Sequence, residues 1–219
     1  MSEVVTIKGK ATTVFRGIDA YFIDPKFFPL LKEKGFDFIM IYLKNLTQAQ
    51  LDAAKTNKLV VGIIWEVGEG NSLAGAPQGA VDGKRAFLKM QQFNIPKDVA
   101  CFTTTDTGVS EDKFNAVWGY NAAFDAAIWP TYKIGAYAEG DLLVVLKAAG
   151  LQYTWLPGAM GWQGSRAYHS WDIAQGATIP ANTNRRWVEQ DLPDVSVWPA
   201  LPFDYDPNVA YSLDWGIQP

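Results

Sequence analysis

Short apolar, β-branched runs alternate with stretches whose apolar residues recur every three or four positions, and the pattern repeats through most of the chain. Phe15–Tyr21 (FRGIDAY) predicts a first strand and Pro25–Lys34 a short helix ending at Gly35. Phe36–Leu43 (FDFIMIYL) predicts a second strand, and Thr47 is placed to cap the helix that follows it. Leu59–Val67 (LVVGIIWEV) and Val99–Thr105 read as strands three and four, and Tyr132–Ala138 as strand five. Helices are expected at Ala80–Phe93, at Glu111–Ile128 between the Ser110 cap and the Pro130 stop, and at Asp141–Ala149. The glycine-rich Gly68–Gly79 lacks the Lys-Ser/Thr ending of a phosphate loop and reads as a mobile flap over a cleft.

Strands joined by helical crossovers imply a parallel α/β sheet. After Gly150 the pattern weakens, and Tyr153–Leu156, Ser170–Gln175 and Leu201–Tyr205 supply candidates for strands six to eight. Eight strands would close a (β/α)8 TIM-like barrel, irregular in its last three units. The alternative, an open doubly wound sheet, lacks its glycine fingerprint, because GIDAYFIDP is not that motif. No linker or repeat divides the chain, so residues 1–219 are expected to form one domain.

Composition narrows the function. A net charge of −4 and no polybasic run argue against a nucleic-acid partner. No segment is apolar enough to span a membrane, and the first residues lack the core of a secretory signal. Synthesis in the cytoplasm is therefore expected, a pattern equally compatible with release by lysis or carriage in a virion. The lone Cys101 lies in an apolar strand pattern and reads as a buried hydrophobe. One histidine, His169, excludes a multi-histidine metal site, and no spaced D-x-D-x-D loop is present. Neither metal nor cofactor is expected.

In a parallel barrel, function sits at the carboxyl ends of the strands. Those ends deliver Asp19 and Tyr21, Trp65 and Glu66, Thr104 and Asp106, Tyr137 and Glu139. The later strands add Trp155, then Asp172 and Gln175, then Asp204 and Asp206. Acids and aromatics recurring at one mouth compose a glycan-cleaving cleft, where one carboxyl protonates the leaving oxygen and another attacks or stabilises the sugar. Each acid also has a structural reading as a helix cap or turn residue. Asp106, followed by Thr107 and Gly108, stays open between the two.

The run GIDAYF, the acid ending CFTTTD, TWLPGAMGWQG, SWDIAQ and the late FDYD together resemble a glycoside-hydrolase-like domain related to the family 25 lysozymes of bacterial cell-wall and phage proteins. The resemblance implies a barrel with its cleft at the strand ends and, in active members, muramidase chemistry on peptidoglycan. It aligns Asp19 with the family's first-strand acid, Asp106 with the strand-four proton donor, Asp204 with the late acid and Gln175 with the Gln ending strand seven. Thr104 stands where lysozymes carry a second acid. Two carboxylates about 5 Å apart repel by roughly 3 kcal/mol at an effective dielectric near 20, which helps keep one protonated. Thr104 cannot supply that push.

Two functions follow as expectations. The first is a lysozyme-like hydrolase using Asp106 as proton donor and Asp19 as nucleophile or stabiliser, helped by Glu66, Glu139 and Asp204. Its substrate, a peptidoglycan-type glycan, would be held by Tyr21, Trp65, Thr104, Tyr137, Trp155, Asp172 and Gln175. The second is an inactive glycan-binding or virion structural module on the same barrel.

Overall fold

A computed structural model of the chain describes residues 3–7, 10–157, 180–182 and 199–219. Strands β1 (Glu3–Ile7) and β2 (Lys10–Asp19) pair antiparallel along the first half of β2. The chain then runs through α1 (Phe28–Glu33), β3 (Phe38–Tyr42), α2 (Gln48–Thr56), β4 (Val60–Trp65), α3 (Ala76–Gln92) and β5 (Ala100–Thr104). It continues through α4 (Phe114–Ile128), β6 (Lys133–Tyr137), α5 (Gly140–Ala148) and β7 (Tyr153–Trp155), with β8 (Pro180–Asn182) and β9 (Asp206–Ala210) last.

Strands β2 to β7 pair in parallel in chain order, so each helix is a crossover between neighbours. Past β2 the sheet continues with β9, antiparallel to β2, and then β8, antiparallel to β9. The sheet is strongly curled: Trp155 on β7 and Asn208 on β9, at opposite ends of this seven-strand run, meet at 3.0 Å. The expected eightfold strand–helix repeat thus stops at β7 among the described residues. The strand expected at Leu201–Tyr205 begins instead at Asp206, and the one expected at Ser170–Gln175 lies outside the described residues.

Alternation along the strands splits the apolar residues into two cores. Ile18, Ile39, Ile63, Cys101 and Ile134 face outward and pack under helix residues such as Met90, Phe124 and Leu142. Phe38, Met40, Ile64, Phe102 and Trp155 face inward and fill the curl. Gly17 and Gly135 make room for two of these rings, since a Cβ there would lie 2.3 Å and 2.4 Å from Phe38 and Phe102. The C-terminal segment closes the end where the strands begin. Ile217 exchanges backbone hydrogen bonds with Val61, the Trp215 carbonyl accepts from the Ala100 amide, and the Trp215 indole packs edge-on against Phe38 and Phe102.

Two caps show local sequence setting local structure. Thr47 and Gln50 form a reciprocal capping box at α2, and the Gln50 amide also donates to the Ile23 carbonyl. Helix α3 starts at Ala76, before the expected Ala80, because Pro77 in its first turn needs no hydrogen-bond acceptor.

Candidate functional site

The inward parity of the strands carries through to their ends. Asp19 closes β2, Tyr42 closes β3, Glu66 follows β4, and Thr104 and Asp106 stand at the end of β5. Tyr137 ends β6 and Trp155 ends β7, while Asp206 begins the antiparallel β9 at the same mouth. The ladder sets Asp19 opposite Asp206 and aligns Thr104 with Tyr137 and Tyr137 with Trp155. These eight residues line one narrow groove of about 60 Å³, well below the usual range for ligand pockets. A larger hollow of about 350 Å³ lies at the other end of the sheet, between α2 and the C-terminal segment. Its titratable side chains are Asp52 and Lys55, so it lacks a comparable convergence of acids.

Six sequence-expected residues, Asp19, Glu66, Thr104, Asp106, Tyr137 and Trp155, thus share the groove. Tyr21 is 71% exposed just beyond β2, with its ring 6.3 Å from that of Tyr42, so it lies beside the groove. Trp65 has outward parity; its ring packs against Phe124 of α4 and does not line the groove. Glu139 is buried at the N-terminus of α5, also off the groove lining. Asp204 is exposed and outside the lining, where its near neighbour Asp206 takes the position. Asp172, Gln175 and His169 lie outside the described residues. Tyr42 and Asn208 were absent from the expected set, and Asp206, expected with Asp204 at the end of the last strand, was given no role in the site. Tyr42 follows Phe38 and Met40 at inward parity, a signal present in the sequence, whereas Asn208 has no local one.

Asp19 is the deepest acid, 4% exposed, and its Oδ2 accepts from Asn208 Nδ2 at 2.7 Å. Burial pushes its carboxyl up to about 7, the charges of Asp206, Glu66 and Asp106 push the same way, and the Asn208 hydrogen bond opposes them. Burial also raises Asp106 against a hydrogen bond from the Tyr137 hydroxyl, and raises Asp206 with help from the Asp106 charge. Glu66 rises through burial too, opposed by the Lys44 ammonium 3.6 Å away. Burial and the surrounding acids raise the Tyr42 and Tyr137 hydroxyls, which therefore stay protonated and can donate. The Thr104 hydroxyl, 7% exposed, has no hydrogen-bond partner among the described residues.

Residues 68–75 are tied rather than loose, contrary to the expected flap. They include a 3₁₀ turn at Asn71–Ala74. Ser72 bonds Thr105 at 2.9 Å, Asn71 bonds Asp82 at 2.5 Å, and the Glu69 carbonyl accepts from the Asp106 amide at 3.1 Å. The last contact fixes the backbone that presents Asp106. Among the described residues, no three His, Cys, Asp or Glu side chains converge closely enough to hold a metal ion, and no helix is long and apolar enough to cross a membrane.

A family model described as "Rv2525c-like, glycoside hydrolase-like domain" matches residues 30–195. No curated protein matches the chain. Among solved structures, the Tat-secreted protein Rv2525c of Mycobacterium tuberculosis is similar, with a TM-score of 0.67 at 16% identity over 89% of this chain and 93% of that one. An uncharacterised Bacillus stearothermophilus protein gives a TM-score of 0.62 at 18% identity, covering 92% of this chain and 99% of that one. The modular autolysin LytC of Streptococcus pneumoniae, in complex with a synthetic peptidoglycan ligand, gives 0.52 at 12% identity, covering 95% of this chain and 52% of that one. At such identities the structural likeness speaks for the fold alone.

Proposed function

The chain belongs to the Rv2525c-like, glycoside hydrolase-like family, and from that premise we propose that its groove cleaves a glycosidic bond in a peptidoglycan-type glycan. The observation that carries the reading is the meeting of Asp19, Glu66, Asp106 and Asp206, from four separate places in the chain, in one groove that raises all four carboxyls. The peptidoglycan ligand of LytC and the resemblance to lysozymes support the choice of glycan.

Hydrolysis needs one carboxyl that holds a proton near neutral pH and one that has lost it. Burial, which pushes the Asp19 carboxyl up to about 7, supports Asp19 for the first part. Asp106, less buried and hydrogen-bonded by Tyr137, takes the second. This exchanges the roles expected from the sequence, because Thr104 leaves Asp106 without a second acid on its own strand. Asp19 gives its proton to the glycosidic oxygen as the sugar–oxygen bond breaks. Asp106 stabilises or captures the sugar cation, and water completes the cleavage.

Purified protein incubated with peptidoglycan is expected to release reducing ends. Asp19→Asn and Asp106→Asn should each lower the rate about 100-fold or more. Release no greater than that of the two variants would refute the hydrolase. Thr104 favours a second reading, a glycan-binding module without turnover. Retention on insoluble peptidoglycan with no release of reducing ends would establish it.

A further inference from the structure

Trp155 lines the groove, yet it is only 2% exposed and its ring meets Tyr137 edge-on at 4.9 Å, so no broad face is left for a sugar. Its polar atom points elsewhere: Nε1–H donates to Asn208 Oδ1 at 3.0 Å. Asn208 is fully buried and donates through Nδ2 to two acceptors, Asp19 Oδ2 at 2.7 Å and the Asp206 carbonyl at 3.0 Å. Indole nitrogen can only donate. A flipped Asn208 would set its amide nitrogen against the indole N–H and its oxygen against the Asp206 carbonyl, two repulsive contacts whatever the protonation state of Asp19. The amide therefore has one orientation compatible with all three neighbours.

We propose that Trp155 and Asn208 form a lock that keeps the proton of Asp19 on Oδ1, facing the groove, because Oδ2 is occupied by a permanent donor. This rests on reading Asp19 as the proton donor. The lock makes Asn208 a positioning residue and gives Trp155 a part in the chemistry without sugar stacking. With the lock in place the acid cannot turn its O–H into the sheet. Once the proton has left, the Asn208 N–H remains to stabilise the anion. Were the amide free to rotate, its oxygen would accept the Asp19 O–H, hiding the proton and favouring the neutral acid. The other groups facing Asp19 are Tyr42 from β3, Glu66 after β4, Asp106 after β5, Tyr137 from β6 and Asp206 from β9, with Lys44 held on Glu66. Each can move the Asp19 titration.

Two measurements test the lock. Side-chain amide NMR of ¹⁵N-labelled protein should show the Asn208 NH₂ protons distinct, and shifting with pH around the Asp19 titration near 7. Asp19→Asn should abolish that shift. This arm needs no glycan, so it stands even where the wild type cleaves nothing, an outcome that would count against the hydrolase alone. In an active enzyme, Trp155→Phe removes the indole N–H and should lower kcat about 10- to 100-fold with KM nearly unchanged. The pH-profile limb of Asp19 should move upward by about one pH unit, and Asn208→Leu should move it the same way. An Asn208 amide that does not titrate in the wild type overturns the lock whether or not either variant folds. A Trp155→Phe enzyme with an unmoved limb and unchanged kcat overturns it as well.

Discussion

Asp19 shows how a single position acquires chemistry. Its carboxyl is ordinary by type, and burial beside three other acids makes it hold its proton to about 7. The consequence for stability has a definite sign. Between the ordinary value of 3.8 and about 7 the folded chain keeps a proton that the unfolded chain has released. The stabilising effect of protonation is therefore complete below about pH 4 and lost as pH rises towards 7. At about 1.4 kcal/mol per pH unit, the loss attributable to Asp19 is on the order of 4 kcal/mol. The raised values of Glu66, Asp106 and Asp206 act in the same direction. Urea unfolding at pH 4.5 and pH 8 should show Asp19→Asn with a clearly smaller fall in stability than the wild type. Equal falls would mean that Asp19 titrates normally.

At the scale of elements, the α3–α4 pair supports the strand end that presents Asp106, since Asp82 of α3 is bonded by Tyr120 of α4 and by Asn71 of the tied loop. The two helices approach through glycine. A Cβ on Gly79 would lie 2.1 Å from the Tyr120 carbonyl oxygen, whereas one on Gly119 would meet its nearest atom at 3.6 Å. Two substitutions of the same kind should therefore have opposite signs. Gly79→Ala should destabilise by about 1–3 kcal/mol through overpacking. Gly119→Ala should stabilise by about 0.5–1 kcal/mol, because it restricts only the unfolded chain. Chemical unfolding of both variants checks the pair, and a stabilised Gly79→Ala would mean that the helices stand further apart. The approach was not readable from the sequence: Gly79 was expected at the end of the glycine-rich loop and Gly119 within a helix, and neither reading names the partner that Gly79 meets.

For the molecule as a whole, the inward core joins the groove to the opposite end of the sheet. Trp215 touches Phe102 at 5.8 Å between ring centres, and Phe102 touches Trp155 at 6.2 Å. Residues from the last segment of the chain thus support the floor beneath Asp19 and Asn208. Trp215→Ala should cost about 3–5 kcal/mol, the range for emptying a large buried aromatic site. A melting temperature within a few degrees of the wild type would show that the segment is dispensable. In the same way β9 brings Asp206 and Asn208 to β2, against the chain direction of every strand from β2 to β7.

Hydrophobic periodicity by itself determined five strand–helix units, their parallel order and the end of the sheet where acids collect, because these follow from local pairing rules and short crossovers. It also placed six of the eight groove residues, since the parity of a strand is written in its own alternation. Tertiary structure decided the rest. It turned Trp65 outward, left Asp204 in solvent, put Asp206 in the groove, and coupled Trp155 to Asp19 through Asn208. The burial that raises the Asp19 carboxyl was decided there too. Burial and the meeting of like charges depend on how far the sheet curls and where its last strand returns, and both are set by contacts between residues far apart in the chain.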